Sequence, residues 1–350
     1  MSLELVWFTL TAAALAAYVV LDGFDLGVGI VHLFVAETKA ERRLTMATIG
    51  PVWDGNEVCL LAAGGTLVLA FPKMYAVTIG GFYLPVQLLL WLYIGRALGI
   101  EMKHHHVGGP LWDELWDAVF AVSSLLIALF LGVALGNVVR GVSFDETGRF
   151  FAPLWTTFSP ASAEVGILDG YTVLVGAAAV AGLAAHGALW LAHRTAGATA
   201  ARAKSLAERL LLAVGLLAGA TTAATFLVQP RAMEAMASRP ALLAFPAAAC
   251  AALIAANVLV RRGRTKRAFL ASAAFLACML ASAAASLYPS LLPAAGGGAG
   301  LTVHTAATSR YAMGVGLWWF IPGVALAATY FYRNYRGLPA TFGASEPHDD

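Results

Sequence analysis

The sequence predicts an all-α polytopic membrane protein of about nine transmembrane helices. The spacing suits two four-helix bundles plus one extra C-terminal helix. Three observations carry this. The 350-residue chain is 60% hydrophobic and 12% charged, about half the charged fraction of a soluble domain. Apolar runs of helix-spanning length recur from end to end, without the dyad alternation of a membrane β-barrel. The basic residues also gather on alternate connections, as the positive-inside rule requires. The chain reads as one integral membrane domain, 1–350.

The first run, 5–36, has no basic segment before it and no small-residue cleavage site, so it reads as a retained helix. It is longer than a bilayer needs, and tilts or emerges on one side. The second, 52–72, starts behind Pro51, a residue suited to a helix start. The third covers 75–98. The fourth, 113–139, opens on Asp113, Glu114 and Asp117, acids that suit a helix N-terminus, and closes at Gly136 and Asn137. Glu164 and Asp169 open the fifth, 165–192, in the same way. The rest are 206–228, 241–260, 267–288 and 312–333. Trp112, Trp116, Trp318 and Trp319 read as interfacial anchors.

Nine spans put the termini on opposite sides. With the N-terminus outside, sixteen of the 22 basic residues fall on the inner side, Arg96 and Lys103 among them. That arrangement predicts an outer N-terminus and a cytoplasmic C-terminus. Two long outer connections, 140–164 and 289–311, stand out.

Several residue types exclude common chemistries. Cys59, Cys250 and Cys278 lie in apolar runs, odd in number and without CxxC spacing, and read as buried thiols. His186 sits mid-span and reads as locally hydrogen-bonded. His104, His105 and His106 form a loop run that no acid or cysteine completes into a metal site. No metal site, no catalytic constellation of this chain's own and no nucleic-acid partner is expected.

The acids are more informative. Ionisable residues inside spanning helices are costly and face a bundle interior or cavity. Asp22 and Asp25, in "LDGFDLGVGI", lie far from either end of the first span. Helical geometry puts Asp22, Asp25 and Gly29 on one face. Gly23 and Gly27 form a small-xxx-small pair on the neighbouring face, where another backbone can approach. In "GPVWDGNEVCLLAAGG", Asp54, Glu57, Leu61, Gly64, Gly65 and Val68 share a stripe of the second span. Topology brings both acid pairs to the inner side at similar depth. Three readings stay open. Asp54 and Glu57 serve a helix N-terminus; Asp22 and Asp25 pair with Asn56, backbone groups or another subunit's arginine; or the acids form a proton relay or ion site.

These two segments resemble the N-terminal signature of subunit II of cytochrome bd-type quinol oxidases. "GNVVRGV", "AAHGALWLAHRT", "SLYPSLLP" and a Trp/Tyr-rich last helix extend the resemblance along the chain. "TTFSPASAEVGILDG" departs from the more regular Asn-Pro-Phe approach to the fifth span. The resemblance implies a complex that oxidises quinol and reduces dioxygen to water, generating a proton gradient. It places haems b and d and the quinol-oxidising loop in a haem-bearing subunit I, and binds no cofactor to this chain directly. It implies a bacterial inner-membrane location, contact with lipid or quinone, and in some complexes a small single-span subunit. By the same resemblance this subunit supports assembly and proton delivery and is not catalytic alone. Asp54 matches the acid of a Trp-Asp-Gly-Asn motif implicated in proton delivery, with Trp53 and Asn56 beside it. Asp25 and Asp22 match the two acids of Asp-Gly-Phe-Asp, and Glu57 lies next to them. Cys59 stands where relatives often carry Trp, which makes it a candidate for the subunit interface. The competing expectations are a secondary transporter that binds its coupling ion at Asp22, Asp25 and Asp54, and a scaffold whose acids serve assembly only. Spans six to nine hold no acid at depth, which weighs against paired transporter halves.

Overall fold

A computed structural model describes residues 2–104, 109–156, 166–295, 298 and 300–343. Glu164, His105, His106 and most of the departing segment before the fifth span lie outside the described residues. The described chain consists of α1 (Leu3–Val35), α2 (Lys39–Ala47), α3 (Trp53–Ala70), α4 (Pro72–Gly81), α5 (Tyr83–His104), α6 (Pro110–Arg140), α7 (Gly170–Arg194), α8 (Gly197–Val228), α9 (Pro230–Ser238), α10 (Ala244–Arg261), α11 (Thr265–Leu287) and α12 (Arg310–Gly337). A short antiparallel pair, β1 (Ser290–Leu292) with β2 (Leu301–Thr302), is the one sheet among the described residues.

Eight of these helices are long and apolar enough to cross a membrane, and the bent pair α3–α4 makes a ninth candidate. The bend is 119°. Phe71 leaves helical geometry, and Pro72 restarts the chain as the first residue of α4, where its missing N–H is no loss. A second break at Phe82 ends α4 and begins α5. This corrects the run 75–98. Its first third belongs to the bent segment, and the spanning helix reaches past 98 to His104. The sixth run also begins earlier, since α8 starts at Gly197.

The helices form two packed groups. One holds α1, α3, α5 and α6; the other holds α7, α8, α10 and α11. They meet where α7 lies against α1 and α6, and α7 is the most enclosed span. Glycine decides these crossings. A Cβ on Gly27 would meet the backbone of Leu183 and Gly187, with the Gly187 nitrogen at 2.7 Å. A Cβ on Gly187 would meet the Gly27 backbone in return. Two main chains thus touch with no side chain between them, the geometry that small residues permit in membranes. Between α6 and α7 an added Cβ on Gly132 would meet Ala179 and the Gly176 backbone, the latter at 2.8 Å.

α12 stands at the edge, against α3 and α1. Met313 and Gly316 are buried there, while Trp318 and Trp319 are exposed. At the opposite end of α6 from its N-terminus, Asn137 hydrogen-bonds the Ile167 carbonyl (2.8 Å). Arg140 pairs with Asp169 and reaches the Gly166 carbonyl. These bonds fix the strand of chain that leads into α7.

Candidate functional site: a buried acid cluster around Arg96

α1 carries Asp22 and Asp25 into the middle of the first group, where both are fully buried. A lone buried carboxylate is costly, so each needs a partner. Asp22 takes a two-pronged ion pair from Arg96 on α5, at 2.5 Å and 3.0 Å. Arg96 is itself fully buried. The same guanidinium reaches Glu57 on α3 at 3.4 Å. Asp25 instead accepts from the Asn56 side-chain amide at 2.7 Å. The Asn56 carbonyl oxygen is held by the Tyr335 hydroxyl of α12, at 2.8 Å. Tyr18 and Tyr93 share a hydroxyl contact one turn away, at Asp22 − 4 and Arg96 − 3. Four helices therefore converge on two aspartates.

The predicted residues sort into three groups. Asp22, Asp25, Asn56 and Glu57 are brought together. Asp54 is not part of the buried set: it is exposed at the start of α3 and accepts the Gly55 N–H at 2.6 Å. Glu57 stands between, with its side chain 30% exposed. Trp53 packs half-buried against the core, and Cys59 is a half-buried free thiol. Among the glycines, Gly23 faces Leu183 of α7, Gly27 meets Gly187, and Gly29 makes room for Ser124 of α6. Gly64 and Gly65 have no atom within 4 Å of an added Cβ. They are not packing points inside this chain, because their stripe of α3 faces outward. Leu61 on that stripe is 72% exposed.

Sequence reasoning missed Arg96, which it counted as an inner-side basic residue. The helical pattern running on from Trp91 to Lys103 was the available signal. It also missed a second cluster. Asp117, in the second turn of α6, is 2% exposed. Lys103 (2.5 Å), Arg42 (3.3 Å) and His32 (3.6 Å) surround it. No sequence spacing announces this meeting of α1, α2, α5 and α6. His186 lies elsewhere, bonded to Ser272 (2.7 Å) and the Val20 carbonyl (3.1 Å) and stacked on Phe269. No group of three or more metal-ligating side chains exists among the described residues.

The model of the family described as cytochrome bd terminal oxidase subunit II matches residues 3–338. The chain belongs to this family. It is 31% identical to a probable cytochrome oxidase subunit 2 of Haemophilus influenzae, over 83% of this chain and 82% of that one. It is 28% identical to the cytochrome bd-I ubiquinol oxidase subunit 2 of Escherichia coli K12, over 96% and 94%. The bd oxidase of Geobacillus thermodenitrificans shares the fold, with a TM-score of 0.74 at 20% identity, covering 96% of this chain and 98% of that one. As a bd oxidase subunit II, the chain is a multi-span membrane component of an oxidoreductase complex.

Proposed function

We propose that this subunit II carries protons from the inner side of a bacterial inner membrane toward the haems of a partner subunit I, in a complex that oxidises quinol and reduces dioxygen. Its N-terminus lies outside and its C-terminus in the cytoplasm. One observation carries the reading. The buried set Asp22, Asp25 and Arg96 reaches the surface through Glu57, beside exposed Asp54 and the bare stripe of Leu61, Gly64, Gly65 and Val68. Titratable groups at membrane depth mark ion and proton paths. The smooth glycine stripe beside this outlet suits a close-packed helix of subunit I. Carboxylates on one side and an apolar seam on the other allow a proton to leave this chain without crossing lipid. Haems b and d, the quinol site, any small single-span subunit and lipid or quinone between helices belong to the rest of the complex.

The test is Asp54→Asn and Glu57→Gln in the assembled oxidase. With haem spectra retained, oxygen-driven proton uptake falls about tenfold or more. Unchanged turnover and uptake in both variants refute the reading. The transporter alternative fits less well, because the acid cluster is confined to the first group of helices.

A further inference from the structure

α1 and α6 face each other along a line that leaves the acid cluster at Asp25. On α1, Asp25, Gly29 and His32 recur at i, i+4 and i+7, one stripe of a helix. On α6, Asp117, Phe120 and Ser124 form the facing stripe. His32 lies 3.6 Å from Asp117 and against the Phe120 ring. Ser124 fills the notch at Gly29, where an added Cβ would overlap its side chain. All four polar groups are buried. Asp25 Oδ1, Ser124 Oγ and His32 Nε2 have no hydrogen-bond partner among the described residues. Unpaired buried polar atoms are exceptional and point to bound water. Three of them, about one helical turn apart, fall in one file.

We infer that His32 and Ser124 form an inner leg of the proton path, binding water and passing protons from the Asp117 cluster to Asp25. This rests on the proton-carrying role proposed above. The His32 ring spans the gap. Its Nδ1 lies 3.1 Å from the Gly29 carbonyl, which can only accept, so Nδ1 bears the hydrogen. Nε2 then offers a lone pair toward Asp117. A proton taken at Nε2 gives an imidazolium that the Asp117 carboxylate stabilises. Release of the Nδ1 proton to water bound at the Gly29–Ser124 notch passes one proton on, through that water and the Ser124 hydroxyl, to Asp25 Oδ1. A ring flip then turns the unprotonated nitrogen back toward Asp117, so the next proton can enter. One proton enters, one leaves, and no electron moves. Lys103 and Arg42 each pair with the same Asp117 carboxylate that His32 faces.

The experiment uses the assembled oxidase in liposomes with His32→Gln, Ser124→Ala and, as reference, Asp25→Asn. Ser124→Ala removes a single oxygen and guards against misfolding. Proton uptake from the inner side is followed after an oxygen pulse, in H2O and D2O. His32→Gln and Ser124→Ala are expected to slow uptake at least fivefold and raise its isotope effect, with haem content and quinol KM unchanged. Wild-type uptake in both, with Asp25→Asn slowed, overturns this leg and leaves the wider reading intact. Wild-type uptake in Asp25→Asn as well overturns both. A density map showing apolar contact rather than water between Asp25, Ser124 and His32 also overturns the leg.

Discussion

Replacing Arg96 with Leu strips the fully buried Asp22 of both its ion-pair contacts, at 2.5 Å and 3.0 Å, and takes one from Glu57. Leaving one member of a buried pair without the other destabilises by about 3–5 kcal/mol. Asp22→Leu strands the guanidinium and gives a loss of similar size. The double substitution removes both charges, so it is milder than the sum of the singles by about 3 kcal/mol or more. With an unfolding entropy near 2.1 cal/mol/K per residue, a 350-residue chain loses about 4–7 °C in each single variant. The assay is a double-mutant cycle on thermal unfolding of the purified complex, with haem absorbance following assembly. Arg96→Lys keeps the charge but not the planar fork, and falls between. Strict additivity of the two singles refutes the argument, because it denies that the groups feel each other.

Other outcomes follow from the same geometry. Gly27→Ala pushes a methyl into the Gly187 backbone, which cannot swing aside; an overpacking loss of about 1–3 kcal/mol shows as a lower melting midpoint. Gly64→Ala meets nothing in this chain, so the isolated subunit is as stable as wild type. Gly65→Leu likewise spares the chain but lowers co-purification with the haem-bearing subunit, read by pull-down from solubilised membranes. Outside the membrane, Glu41 gives an acid limit. Burial opposes ionisation, but the Glu37 and Thr38 N–H groups with Arg202 and Thr199 hold its carboxyl down at about 2. A folded value below the unfolded one stabilises above about pH 4.5, and that contribution fades as pH falls toward about 2. Glu41→Gln is therefore less stable at neutral pH and shows a flatter decline in melting temperature between pH 5 and 3.

Much of the fold was legible because apolar length and alternating basic loops are strong constraints. The break between α3 and α4 was not, since Phe71-Pro72 reads locally as one more apolar step and only packing shows the turn. At the site, the acids announced themselves by depth, and Asn56 by its place in the motif. Arg96 stayed hidden because a basic residue near the end of an apolar run looks the same in sequence whether it snorkels to water or pairs inward. The outward direction of Gly64 and Gly65 was hidden too. A stripe of small residues records that something packs closely, but not in which chain. His32 and Asp117 lie 85 positions apart, and nothing local connects them.

The pairing of Asp22 with Arg96 joins residues 74 positions apart. At synthesis rates of about 5–20 residues per second, the arginine follows its aspartate by roughly 4–15 s. The backbone contact of Gly27 with Gly187 comes later still. For those seconds Asp22 lacks its cation, although Asn56, made earlier, can already serve Asp25, and the glycine seam stays bare. α1 is therefore completed as a membrane helix by segments made long after it.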